Sequence, residues 1–323
     1  MKKRLILWTA AGVLAAVLPA GAGVSLDRMS PSLGAGCGVF PVNPAQVLSL
    51  VPPGGGCDVG GGTGPVREVT AAALGLVGND NIDGLSTNTF HSPALTYQLL
   101  LSADRASVGQ AATPFNAEAA NIQAASDLWR TNFTGGSPAA SMAGGGCVPW
   151  VVPPPHFLHR NQTSYNLIQT APAGAAVAAP LDNVDAVEMD VIDITGDNVH
   201  DVNVYFSLDA ASPSLVGSGA DIYFAPAGGP FFLFAAPPLV GLLAGDEIDS
   251  LVIWDRGGIG AVNPGMDFVL FSLAPGSPTL AMFGLSPAMI FVSDFTGAIC
   301  PFVGAGQLGL VAADNVDGLD VMP

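Results

Sequence analysis

Apolar residues along this 323-residue chain come in short runs rich in Val, Ile, Leu and Phe, each bounded by Gly, Pro or Ser. Such runs predict strands, because β-branched and aromatic side chains suit a pleated surface, whereas Gly and Pro interrupt it. The stretch from Val202 to Trp254 shows the pattern most plainly. It predicts strands over Val202–Leu208 and Asp221–Ala225, a Pro-Ala-Gly-Gly-Pro turn, and a third strand over Phe231–Ala235. One helical turn near Leu239–Leu243 and a fourth strand over Ile248–Trp254 follow.

This block is one of four. A D-x-[IV]-D phrase recurs at Asp80/Asp83, Asp182/Asp185, Asp246/Asp249 and Asp314/Asp317. An opening phrase precedes it each time: Ser25-Leu-Asp, Ser102-Ala-Asp, Ser207-Leu-Asp and Ser272-Leu-Ala, with a second Ser three residues further on. A third phrase lies between them, at Ala45-Gln-Val-Leu, Ser126-Asp-Leu-Trp, Ala220-Asp-Ile-Tyr and Ala288-Met-Ile-Phe. The constant order of the three phrases marks an internal repeat. The units run about 25–100, 101–205, 206–270 and 271–323, with Gly/Pro-rich insertions at 54–64 and 144–155 in the first two. A four-strand unit of this size cannot bury both faces of its sheet alone, so the expectation is a single all-β repeat domain over 23–323 whose units pack on one another. A closed, propeller-like ring is favoured over an open β stack, which would need polar caps at its ends, and over paired β-sandwiches.

Charge narrows the class. Lys+Arg number 9 against Asp+Glu 26, a formal net charge of −17, and Lys2, Lys3 and Arg4 precede the apolar run Leu5–Leu18 and Ala20-Gly21-Ala22. That arrangement reads as a secretory signal peptide over 1–22. Its removal leaves no lysine and a net charge of 6 − 26 = −20. A Walker-type loop, a Schiff-base lysine and a basic nucleic-acid groove are thereby excluded. No later run is long enough to span a membrane, so a secreted or periplasmic protein is expected. In that compartment Cys37, Cys57, Cys147 and Cys300 suggest two disulfides, with Cys37–Cys57 the local choice and Cys147–Cys300 the remainder.

Candidate chemistry is sparse. The eight repeated aspartates suit backbone capping, or calcium coordination by clustered carboxylates. In Asp193-Ile-Thr195-Gly-Asp197-Asn-Val199-His-Asp201, oxygen donors fall at alternate positions, Val199 through its carbonyl. The segment resembles the calcium loop of dockerin modules and EF-hands. That resemblance implies Ca²⁺ held by Asp193, Thr195, Asp197, Val199 and Asp201. It departs at Asn198, where the motif has Gly, and at Val204, where it has a bidentate Glu. Gly304-Ala-Gly306-Gln-Leu-Gly309 fits G-x-G-x-x-G but lies in a repeat turn, without the following helix and acidic strand. His156 and His159 would face opposite sides of one strand. Trp129, Trp150, Trp254 and Tyr223 suit core or loop anchors better than a glycan platform. The reading is a secreted binding or structural module with calcium-assisted folding and an unknown protein or glycan ligand. The alternatives are an extracellular hydrolase of glycosidase-like carboxylate chemistry or a carbohydrate-binding protein.

Overall fold

The computed structural model describes residues 22–26, 47–50, 66–69, 71–87, 96–120, 125, 127–134, 156–160, 167, 182–189, 203–226 and 229–321. Within them the apolar runs pair into four antiparallel, four-stranded sheets. The first sheet has the order β16 (Val316–Val321), β1 (Ala22–Leu26), β2 (Val47–Leu50), β3 (Val66–Val69). The second runs β4 (Ile82–Thr87), β5 (Thr96–Ala103), β6 (Leu128–Thr134), β7 (His156–Arg160). The third holds β8 (Val184–Met189), β9 (Val204–Leu208), β10 (Ile222–Ala225) and β11 (Phe232–Ala235). The fourth holds β12 (Ile248–Trp254), β13 (Phe268–Leu273), β14 (Ile290–Ser293) and β15 (Cys300–Val303). The fold is all-β, as the run pattern predicts.

Sequence units and sheets are offset by one strand. The D-x-[IV]-D phrase that closes each sequence unit opens the lead strand of the next sheet: β4, β8, β12 and finally β16, which pairs with β1. The Ile248–Trp254 strand, placed with unit three by pattern, therefore belongs to the fourth sheet. Repeated phrases mark turn chemistry, whereas hydrogen bonding decides which strands share a sheet.

Both faces of β9, β10 and β13 are buried, which explains runs more continuous than simple alternation would give. Successive side chains enter different cores. On β9, Tyr205 joins Phe224, Phe234, Leu251, Val269 and Phe271 in a cluster between the third and fourth sheets. Its neighbours Val204, Phe206 and Leu208 join Leu100, Leu128, Val184 and Tyr223 between the second and third. On β12, Leu251 and Ile253 face the third sheet, while Val252 packs with Leu26, Val316 and Leu319 of the first. A further cluster gathers Leu74, Leu76, Ile82, Leu101, Phe115 and Trp129.

Helices are short: α1 (Pro114–Ala120), α2 (Pro237–Val240) and α3 (Pro278–Phe283). The turn predicted near Leu239–Leu243 begins earlier, because Pro237 presets φ and Gly241, at φ 92°, ends the helix in the left-handed region. Among the described residues no helix is long and apolar enough to cross a membrane.

Candidate functional site: the aspartate–asparagine network

The lead strands β4, β8, β12 and β16 pack against one another. Serines of the opening phrase fasten three of the four second strands to the next lead strand. Ser25 Oγ donates to Ile82 O at 3.1 Å, Ser207 Oγ to Ile248 O at 2.9 Å, and Ser272 Oγ to Val316 O at 2.6 Å. At the fourth equivalent position, Ser102 Oγ is buried without a hydrogen-bond partner.

The eight repeated aspartates separate into two groups with different work. The first Asp of each phrase is a turn staple. Asp80 accepts the backbone N–H of Val77 and Gly109 at 2.8 and 3.0 Å and that of Val108 at 2.7 Å. Asp182 accepts Ser214 N–H at 2.8 Å and its hydroxyl at 2.6 Å. Asp246 accepts Leu243 N–H at 2.7 Å, and from Thr279 both N–H at 2.8 Å and Oγ1–H at 2.5 Å. Asp314 accepts Val311 N–H at 2.8 Å. Asp80, Asp182 and Asp246 thus tie the approach to a lead strand to a neighbouring loop, and Asp314 holds its own turn.

The second Asp of each phrase meets its counterparts from other sheets. Asn81 Nδ2 donates to Asp83 Oδ1 and to Asp317 Oδ2, both at 2.7 Å. Asn315 Nδ2 donates to Asp317 Oδ1 at 2.5 Å and to Asp249 Oδ2 at 2.6 Å. Asn183 Nδ2 donates to Asp83 Oδ2 at 2.9 Å and, more weakly, to Asp185 Oδ1 at 3.5 Å. Two acceptors per amide nitrogen orient these amides, since only Nδ2 can donate. Their backbones are held as well: Asn81 and Asn183 N–H donate to Ser107 and Ser212 Oγ, each at 2.9 Å.

The third phrase departs from this scheme. Glu247 stands where the others carry Asn, and its carboxylate accepts Ala210 N–H at 2.6 Å instead of donating inward. Asp185 is partly exposed, whereas Asp83, Asp249 and Asp317 are buried. Burial first, then the carboxylates of Asp249, Asp83, Glu247 and Asp209, push the Asp185 carboxyl well above the usual range. Burial also raises Glu247, aided by Asp209 and opposed by the Ala210 N–H and Arg105. Arg105 pairs with Asp209 at 3.1 Å and reaches Ser212 Oγ at 3.2 Å. Tyr223 is pushed up to about 12 by burial and by the adjacent Asp221 carboxylate.

The asparagines are the network residues that the sequence pattern did not single out. Their trace was the second position of the phrase, Asn in three copies and Glu in one. Asp193, Thr195, Asp197, Val199 and Asp201 lie outside the described residues, as do Cys37, Cys57 and Cys147. Cys300 on β15 carries a free, exposed thiol, so the expected Cys147–Cys300 disulfide is not formed here. That strand presents Cys300 outward, away from the buried face that holds Val303. Trp129 is buried against Phe115 at a 4.9 Å ring separation, and Tyr223 lies in the core between the second and third sheets, so neither offers a glycan platform. Among the described residues no three carboxylate, imidazole or thiol groups are gathered to hold a metal ion.

Strand alternation puts the connections between second and third strands, and those into each lead strand, at one end of the sheets. Exposed Val108, Val216, Leu239, Met282, Phe283 and Val311 all lie in these connections. The Asn–Asp network lies at the same end, where the lead strands begin. No protein-family model matches this chain, and no curated protein shows significant similarity to it.

Proposed function

We propose that this protein is an exported, non-enzymatic binding and structural module whose four sheets are blades of a closed, propeller-like ring. The observation that carries the reading is the Asn–Asp network, which joins lead strands of different sheets through one repeated phrase. Supporting it, the second sheet packs on the third, the third on the fourth and the fourth on the first. Asn81 and Ser25 tie the second to the first. A scaffold whose repeated carboxylates and amide nitrogens are engaged in self-assembly leaves ligand recognition to its loops. The apolar end described above is the face proposed to meet an extracellular protein or glycan.

Calcium assistance belongs to this reading through the 193–201 sequence, whose alternating oxygen-bearing residues suit a weak extracellular site. Chelation with EGTA is expected to lower the melting midpoint and added Ca²⁺ to restore it; an unchanged midpoint removes calcium from the reading. The module itself is tested by secreting the chain and screening the purified protein on glycan and extracellular-protein arrays. Saturable binding, lost in a Met282→Ser/Phe283→Ser variant that melts like the wild type, is the expected result. The raised Asp185 carboxyl favours one competing reading, a hydrolase with a carboxyl acid. Turnover of chromogenic glycosides that vanishes in Asp185→Asn would establish it and displace the module.

A further inference from the structure

The network contains its own control. Three junctions between lead strands carry an amide that donates to carboxylates on both sides, and the junction between the third and fourth sheets does not. At that position a carboxyl group stands in place of the amide, and Glu247 accepts the Ala210 N–H instead of donating across the junction. Asp185 keeps one long hydrogen bond, from Asn183 at 3.5 Å. The carboxylates that act on it come from several elements: Asp249 on β12, Asp83 on β4, Glu247 just before β12 and Asp209 just after β9. Strands β5 and β9, packed alongside, contribute no charged residue. The nearby cation, Arg105, is engaged with Asp209.

We infer that a proton taken up by Asp185 supplies the donor that Glu247 withholds, so that this junction is a pH-sensitive latch, tightening as the medium acidifies. The proton comes from solvent, which reaches the partly exposed Asp185. Protonation converts an acceptor-only group into a donor and removes one charge from the acidic set. The sign follows from linkage. A carboxyl that titrates higher in the folded chain than in the unfolded one binds more protons when folded. Stability therefore falls as pH rises from the ordinary carboxyl range through the folded value, and is level beyond it. This inference does not depend on calcium or on ring closure.

The test compares the full mature chain with Asp185→Asn and Glu247→Asn by urea denaturation between pH 4 and pH 8.5, in EDTA. Asp185→Asn places a permanent donor at the junction. The ratio of its folding constant to that of the wild type is expected to climb about tenfold for each pH unit between the two carboxyl values, then level off. Glu247→Asn, which restores the amide of the other three copies, is expected to make the wild-type slope shallower. A ratio for Asp185→Asn that stays constant across the range overturns the latch, because a purely structural role has no reason to vary with pH. Carboxyl-carbon NMR of the wild type gives an independent reading should either variant fail to fold: ordinary titration of Asp185 overturns the inference. Replacing EDTA by Ca²⁺ must leave the Asp185→Asn ratio unchanged; a ratio that collapses in Ca²⁺ assigns the missing charge to a metal ion and likewise overturns it.

Discussion

Asn315 shows how much one amide does in a lysine-free interior. It donates to Asp249 and Asp317, two carboxylates from different sheets that would otherwise face each other. Asn315→Asp removes the donor and adds a further charge. Breaking a buried charged network in this way costs about 3–5 kcal/mol, and urea denaturation at pH 7 should show a loss of that order. The serines allow a sharper comparison. Ser272 Oγ holds Val316 O, so Ser272→Ala leaves a buried carbonyl without that donor and is expected to cost about 1–3 kcal/mol. Ser102→Ala deletes a buried hydroxyl with no partner, and its melting midpoint should match or exceed that of the wild type.

At the scale of elements, close approach of neighbouring sheets dictates side-chain size. The residue after the second Asp of each phrase is Gly84, Ala186, Ser250 or Gly318. A Cβ on Gly84 would lie 2.5 Å from Ser102 Oγ and 2.9 Å from the backbone nitrogen of Val187 on the adjoining lead strand. Ser102 can rotate, but the β8 backbone cannot withdraw without loosening its own sheet. Gly84→Ala is therefore expected to destabilise by about 1–3 kcal/mol, read as a lowered urea midpoint. In the fourth sheet the same position carries Ser250, whose hydroxyl hydrogen-bonds Ser272 Oγ at 2.5 Å. One site is thus filled by hydrogen, by a methyl or by a small hydroxymethyl group, according to the room each junction leaves.

At the scale of the whole molecule, β16 and β1 are the ends of the described chain and pair with each other from Ala22↔Val321 to Leu26↔Val316. If the proposed ring closure holds, removing β16 breaks the network at both Asp317 contacts and exposes the cluster around Leu26, Val252 and Leu270. A chain ending at residue 313 should then lose its cooperative thermal transition altogether. An open arrangement would lose only the first sheet, and near-UV circular dichroism would show a shallower but persistent transition. A net charge of −17 adds repulsion that grows with pH in every variant, which is why the latch must be read from ratios between variants.

The all-β character and, to within two residues, the boundaries of β9 to β12 were legible from sequence, because short apolar runs between Gly and Pro reflect local backbone preference. The importance of the D-x-[IV]-D phrase was legible too, since a phrase repeated in fixed order survives only where its geometry recurs. What the two aspartates do was not. They stand three residues apart with identical chemistry, and only the packing of β4, β8, β12 and β16 decides that one caps a local turn while the other reaches across sheets. The amides of Asn81, Asn183 and Asn315 looked like filler for the same reason: a donor matters only once its acceptors, as many as 236 residues away, are brought within 2.7 Å. Sequence determined which segments become strands and turns, through forces acting over a few residues. Tertiary structure alone determined which carboxylates share an amide and which junction goes without one, because that depends on distances the chain acquires only when folded.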